Sequence, residues 1–515
     1  IESFNPKSDK ICDHPTNYPE ENKFLPKSME VFPFEKGIKY PKQVSKTENC
    51  EIWYKPDTLY NKPKAIVYCQ IYLDKSILPI AEYESLAYTW NLVVESKIKE
   101  ISYMAHEAHL NFGFHPNNEG MLLKIDGFND SMKRALVELI DAFQKITVKE
   151  NLDIIATQLE RQIKEMSNFY FRPPYAQVMA YLDYLKQDPS VAPNEKLHKL
   201  LSFKDKDGNV KELKFEEFVS TFLSAMKFCW VIQGNISEDD AKEIHSTCNS
   251  LLKSSPLPDS KEMHYRIVDQ QKNTIYSYLL PAINENEANS SIVSSFAWNK
   301  EPSYRENAAL RLVNSLIKEK FFDSLRTNQG LGYIVQCYIK EQRKIPSLVF
   351  IVQSNSKSAE FCWRKINEFI QERCEEIPLL DDKTFESHVS SLISEYKKKD
   401  LNLDEEALRN FNEIKTRKFV FDRKELMVQE LEAISKQEVI DCFEKIFVKE
   451  IRRLDVMLTS DKHKAEQGEL LKEYFEKNDE SSGPKRYLID SIQDYKRSNK
   501  LHQDYFQGEM KIPKF

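Results

Sequence analysis

Glycine is scarce in this chain, with 11 residues in 515, against an average usage of about 7%. None falls in a Gly-x-Gly-x-x-Gly or Gly-x-x-x-x-Gly-Lys arrangement. The common phosphate-cradling loops are therefore absent, which argues against nucleotide-dependent chemistry. Nine cysteines run from Cys12 to Cys442 without one Cys-x-x-Cys pair. An odd, scattered set suits reduced thiols in an intracellular, cytoplasmic setting. No apolar run approaches the ~20 residues of a membrane helix, so no membrane span is expected. Neither a Gly-x-Ser-x-Gly elbow nor a local cysteine-protease signature occurs. The net charge of −7 leaves no electrostatic footprint for nucleic acid. Ile1-Glu2 opens the sequence without methionine or a signal-like apolar segment, which reads as a fragment or a processed product.

What is present is globular material on a large scale. The chain is 41% hydrophobic and 30% charged, a composition of soluble folded domains. Its length exceeds one core and implies about two to four domains. Residues 1–48, rich in Pro, Lys, Asn and Glu, read as an extended connector. Beyond Glu51–Tyr54 the pattern predicts a strand at 65–73, helix over 80–109 and a hairpin of 110–114 with 121–125. Helices follow at 131–146 and from 152, broken at Pro173-Pro174, and then a closing strand at 228–232. A charged, proline-containing stretch at 254–262 marks a boundary. The same order then returns: strand 290–298, helix 304–327, hairpin 331–338 with 347–353, helices 358–375, 382–399 and 404–414, closing strand 453–458, and a helical tail. Leu110, Phe112 and Phe114 correspond to Leu331, Tyr333 and Val335 at a shift of 221, and Val231 to Val456 at 225. The recurrence implies two copies of one α+β unit, each a mainly antiparallel sheet faced by helices. The expected domains are 49–264 and 265–500, with 1–48 as connector and 501–515 as tail.

One stretch looks like a site. Phe321–Val335 closes a helix with apolar Leu310, Val313, Leu316, Ile317 and Phe321 at three- and four-residue spacings. Gly330 and Gly332 are expected to stop it with positive φ, and strand-like composition resumes at Leu331. Arg326 in the last turn and Tyr333 just past the glycines place a cation and a phenol at one corner, where both could meet a peptide. An alternative reading has Arg326 offsetting the helix dipole and Tyr333 packing at a sheet margin.

Metal chemistry finds less support. Neither His-Glu-x-x-His nor His-x-x-Glu-His, the spacings that turn two rings and a carboxylate toward zinc, occurs. The nearest approach, His106-Glu107-Ala108-His109, sets the histidines three apart with Glu on another face. His115 and Glu119 are separated by a turn. Lys397-Lys398-Lys399 is a solvated helix end or an anion contact. No carboxylate pair stands out from ordinary surface charge.

The corner Arg326-Thr-Asn-Gln-Gly330-Leu-Gly332-Tyr333-Ile-Val335 resembles the C-terminal half of the insulinase (pitrilysin-type) zinc metallopeptidases. Their hallmark is Arg-Thr, a short polar pair, then Gln-Leu-Gly-Tyr-Ile-Val; Gly330 stands where the family usually has Gln. Asn22-Lys-Phe-Leu-Pro26 resembles the family's Asn-x-Phe-Ile-Pro connector motif, and Gly127-Phe-Asn-Asp130 its Gly-Tyr-Asn-Asp. Gly234-Asn-Ile236 is similar to a closing turn, and Phe419-Val-Phe-Asp-Arg423 to Tyr-x-Phe-Asp-Arg. The resemblance implies the third and fourth domains of a four-domain clamshell, with the preceding connector. It implies that Arg326 and Tyr333 hold substrate backbone near the scissile bond, with Phe322 as an apolar wall. No cofactor is then expected in this chain, and Zn2+ belongs to an N-terminal catalytic half. That half and peptide substrates are the implied partners, and a homo-oligomer stays open. The function so implied is the non-catalytic, substrate-binding half of a zinc metalloendopeptidase. An inactive scaffold of the same fold, or a separately made binding subunit, is the alternative.

Overall fold

A computed structural model describes residues 21–74, 80–252, 254–465 and 483–502. The first twenty residues of the expected connector and nearly all of the expected tail 501–515 lie outside them. In chain order the strands are β1 (Lys42–Lys46), β2 (Cys50–Pro56), β3 (Lys64–Tyr72), β4 (Asn111–Asn117), β5 (Gly120–Phe128), the two-residue β6 (Gln187–Asp188), β7 (Ala225–Gly234) and β8 (Ser255–Pro256). They continue as β9 (Arg266–Asp269), β10 (Thr274–Leu280), β11 (Ser290–Ala297), β12 (Ile334–Gln342), β13 (Ile345–Ser354), β14 (Arg452–Leu458), β15 (Lys485–Leu488) and β16 (Lys500–Leu501).

Two large sheets share one topology. The first runs β4-β5-β3-β7-β2-β1 and the second β12-β13-β11-β14-β10-β15. In both, the inner pair is parallel (β2 with β7, β10 with β14) and the path from there to the hairpin is antiparallel. Helices face one side of each sheet, so the α+β expectation holds. The outermost strands beyond the parallel pair differ. Lys42–Lys46, expected within the irregular connector, pairs antiparallel with β2. Lys485–Leu488, expected within a helical tail, pairs parallel with β10. An isolated charged segment carries little strand preference, and pairing to a preformed edge decides its state.

The ladders also correct the expected correspondence of the hairpins. With Val231 set on Val456, the ladder pairs Val231–Tyr68, Tyr68–Lys124 and Lys124–Gly113 match Val456–Val293, Val293–Ile351 and Ile351–Gln336. Gly113 thus takes the place of Gln336. Leu110, rather than Phe112, takes that of Tyr333. The strands are equivalent, but the shift is two residues larger than the apolar pattern suggested, because a two-residue slip preserves the alternation.

Each sheet has a second covered face, and the cover comes from the other half of the chain. Helix Pro174–Lys186 lies on the second sheet, where Val178, Tyr181, Leu182 and Leu185 join Val293, Val349, Ile351 and Val456 in one core. Helix Leu403–Lys415 lies on the first sheet, with Phe411 stacked on Tyr68 at 4.4 Å and Phe419 on Trp53 at 5.1 Å. Buried polar groups pin the exchange. Lys55 meets Glu406 at 3.1 Å, and Arg417 meets Glu51 at 2.7 Å. Burial alone would raise the Glu51 carboxyl, yet Arg417 and Lys227 hold it below its ordinary value. On the other side burial pushes the Lys186 amine down to about 7, where it meets Ser347 and Ser295. No helix among the described residues is long and apolar enough to cross a membrane.

The connector is fastened by the short motifs. Asn22 donates to the Met104 carbonyl at 2.7 Å and Phe24 is fully buried against Ala105, Ala108, Leu110 and Ala135. Asp130 accepts the Lys27 N–H at 2.8 Å, and Asn235 accepts from Phe32 and donates to the Glu30 carbonyl, both at 2.8 Å.

Candidate functional site

Helix Tyr304–Phe322 starts from a capping box in which Ser303 and Glu306 satisfy each other's backbone N–H groups at 3.1 and 2.9 Å. Its apolar stripe enters the second core as expected. At Asp323 the helix widens into a π turn ending at Asn328, the kind of local widening that re-aims side chains at functional positions. The Gly330 N–H returns to the Arg326 carbonyl at 3.1 Å and the Leu331 N–H to the Leu325 carbonyl at 3.0 Å. Gly330 supplies the positive φ of +60°. Gly332 does not; it is required because a Cβ there would lie 1.8 Å from the Gln353 carbonyl oxygen.

That turn brings together the three residues expected at the corner. The Arg326 guanidinium lies 4.8 Å from the Phe322 ring centroid and 4.6 Å from that of Tyr333. Both distances are within cation–π reach, so the cation is attracted to both rings. Among the described residues no carboxylate forms an ion pair with it. Tyr333 is 81% exposed and Phe322 38%. A phenol that exposed contributes little to the core, so packing at a sheet margin does not describe it. The corner thus offers one fixed cation, one phenolic donor and one apolar wall on a common surface. An arginine and a phenol are both hydrogen-bond donors.

The other sequence candidates do not assemble into a site. His106 Nδ1 lies 3.2 Å from Asn111 Oδ1, and His109 ends its helix at φ +55° with its ring against Phe128. Both line a cleft of about 570 Å³ shared with Lys62, Asp126 and Asp404. Among the described residues no three His, Cys, Asp or Glu side chains converge to hold a metal ion. His115 is exposed on β4, whereas Glu119 is buried, bonded to His264 at 3.1 Å and paired with Arg343. Lys397 pairs with Glu432 at 3.1 Å in an exposed helix end. Burial pushes the Cys229 and Cys442 thiols up to about 12, which removes them as nucleophiles at neutral pH. A groove of about 590 Å³ beside the corner, lined by Lys318, Glu319, Phe322 and Asp323 with Val335–Tyr338, had no signal in the sequence. Its walls come from a helix end and a strand edge that only the fold juxtaposes.

Residues 2–199 match the family model described as the middle or third domain of peptidase M16, and residues 312–411 that of the PQQ synthase PqqF-like C-terminal lobe domain 4. Insulin-degrading enzyme-like 1, peroxisomal, of Arabidopsis thaliana is 26% identical over 498 residues, covering 95% of this chain and 49% of that protein. Human insulin-degrading enzyme is 25% identical over 438 residues, covering 83% of this chain and 41% of that protein. The crystal structure of pitrilysin superposes with a TM-score of 0.78 at 16% identity, covering 94% of this chain and 49% of that one. The structure described as a peptidase M16 inactive domain from Pseudomonas fluorescens gives 0.58 at 11% identity, over 81% and 97% of the two chains. The chain spans about half the length of the first relatives it matches.

Proposed function

This chain belongs to the insulinase (M16) peptidase family, and we propose that it acts as the non-catalytic, substrate-binding half of a zinc metalloendopeptidase that degrades peptides enclosed in a chamber. In this reading the connector precedes a third domain at 49–264 and a fourth at 265–500, working in an intracellular, cytoplasmic setting. In this reading the Zn2+ is held by an N-terminal catalytic half, and no step here is routed through it. The observation that carries the proposal is the Arg326 guanidinium lying 4.8 Å from the Phe322 ring and 4.6 Å from the exposed Tyr333 ring. Arg326 donates to substrate carbonyls, Phe322 takes an apolar side chain, and the Tyr333 hydroxyl donates to the oxyanion that develops at the scissile carbonyl. Closing the chamber removes water and strengthens each of these hydrogen bonds.

The test pairs this chain with its N-terminal half by size-exclusion mixing and follows peptide cleavage. The chain alone is expected to hold no stoichiometric zinc and to cleave nothing. One tightly held zinc per molecule by elemental analysis would overturn the assignment. Wild-type turnover from a paired enzyme carrying both Tyr333→Phe and Arg326→Ala would leave an inactive scaffold as the better description.

A further inference from the structure

The two helices that cover the sheets from the opposite half correspond residue for residue. Pro174–Lys186 and Leu403–Lys415 are each 13 residues long, and at a shift of 229 the buried Val178, Tyr181, Leu182 and Leu185 fall on Ala407, Asn410, Phe411 and Ile414. The strands beneath them correspond as well. Gln353 opposes Ser291 and Ile334 in the second sheet, and Asp126 opposes Ile66 and Asn111 in the same places of the first. Tyr175 is therefore the counterpart of Asp404, and Gln353 that of Asp126. In the second sheet this pair meets: the Tyr175 N–H donates to Gln353 Oε1 at 3.0 Å, joining the start of the covering helix to the strand below. In the first sheet it does not. Asp126 turns instead to Asn111 and Lys124, each at 3.0 Å. Among the described residues no acceptor takes the Asp404 N–H.

The cleft of about 570 Å³ opens at this missing contact, with Asp126 and Asn111 on its sheet side and Leu401–Asp404 on its helix side. Its volume is that of a small-molecule site. Lys62, Lys64, His106 and His109 also line it, and neither lysine forms an ion pair among the described residues. Two carboxylates share the space. Asp126 is matched by Lys124, whereas Asp404 has no ion-pair partner among the described residues. With both imidazoles neutral, two lysines thus stand against one uncompensated carboxylate, and the cleft keeps a positive excess. Tyr60, Leu401 and Leu403 add apolar wall. A site of this kind favours a negative group carried on an apolar body.

We propose that this cleft binds a small organic carboxylate with an apolar body. The carboxylate pairs with Lys62 and Lys64 through charge-assisted hydrogen bonds, and the body lies against Tyr60, Leu401 and Leu403. The bound molecule joins residues just before and at the start of β3 to the helix that arrives from the other half. It does for the first sheet what Gln353 does for the second. Because it binds the folded chain, it stabilises that chain by mass action. The inference is independent of the substrate-binding reading above, since neither Arg326 nor Tyr333 takes part.

The test titrates the full chain with phenylbutyrate by isothermal calorimetry, beside phenylbutanol and phenylbutylamine of the same skeleton and inorganic phosphate. One saturable site is expected for the carboxylate, with each of the other three probes at least about tenfold weaker. The deciding variant is Asp126→Gln, which installs the amide found at the matching place in the second sheet. Charge alone predicts tighter carboxylate binding, because a negative group has gone. Closure of the cleft onto the Asp404 N–H predicts binding at least about tenfold weaker. Lys62→Ala combined with Lys64→Ala should weaken binding by at least about tenfold and leave the ligand-free melting temperature unchanged, since both side chains are exposed. Saturating phenylbutyrate should raise the melting temperature of the parent and not that of Asp126→Gln. No saturable binding, an alcohol or phosphate that binds as well as the carboxylate, or unchanged or tighter binding by Asp126→Gln overturns the proposal. So does parent-like binding by the double lysine variant. If Asp126→Gln does not fold, the lysine variant and the probe series decide by the same criteria.

Discussion

The two hairpin corners of this molecule are built to the same plan and finished in opposite ways. Leu110 at the start of β4 and Tyr333 at the start of β12 occupy matching places in matching ladders. Leu110 is fully buried and Tyr333 is 81% exposed. The difference is the connector: Phe24 fills the first corner, and Asn22 ties it to the Met104 carbonyl. Nothing among the described residues fills the second, and there Arg326, Phe322 and Tyr333 present donors and an apolar wall to the surface. A repeated fold thus supplies two similar sockets. One is spent on holding a chain segment in place, and the other stays open among the described residues.

The sharpest way to break this contrast is to empty the filled corner. Phe24→Ala should destabilise the chain by about 3–5 kcal/mol, the cost of removing a fully buried phenylalanine, read as a lower urea midpoint. A loss below about 1 kcal/mol would mean that the connector merely rests on the surface. At the open corner the effects should appear in turnover instead. Tyr333→Phe keeps the ring over Arg326 and removes one donor, so the paired enzyme should lose roughly 10²–10³-fold in kcat, about 3–4 kcal/mol. Its melting temperature should stay at the parent value; lower stability with full turnover would make Tyr333 a packing residue after all. Arg326→Ala removes a charged donor, and kcat/KM should fall by about 10–100-fold, or roughly 1.5–3 kcal/mol. Arg326→Lys should not restore it, because an ammonium lacks the planar fork of donors that a guanidinium offers beside aromatic rings. Last, Gly330→Ala tests how the open corner is shaped. No atom lies within 4 Å of the added Cβ, so only the left-handed backbone is penalised, by about 1 kcal/mol. A larger loss, measured by thermal unfolding, would reveal a contact that the corner hides.

The sequence pattern carried much of this. Periodicity located the hairpins, the long helix before Arg326 and the closing strands, since each depends on local alternation of apolar residues. It missed β10, where Tyr276 and Tyr278 break a simple apolar signal although Ile275, Tyr276 and Leu280 are buried. It paired Phe112 with Tyr333, two residues out, because a strand's pattern repeats every two residues and cannot fix absolute register. The short motifs Asn22–Pro26, Gly127–Asp130 and Gly234–Ile236 stood out as letters. Their work is mechanical: they clamp the connector to the first sheet.

By itself the sequence determined the two-unit α+β plan, the absence of the known zinc-helix spacings and the residues of the corner, because helix caps, apolar periods and motif spacing are all local. Tertiary structure alone decided that helices Pro174–Lys186 and Leu403–Lys415 each cover the sheet of the other half, that Phe24 occupies one socket, and that β12 is the outermost strand of the second sheet among the described residues. Those outcomes depend on contacts between residues up to several hundred positions apart, as in the pairing of Glu51 with Arg417. Local chemistry makes such a contact favourable once the groups meet, but only the folded chain brings them together.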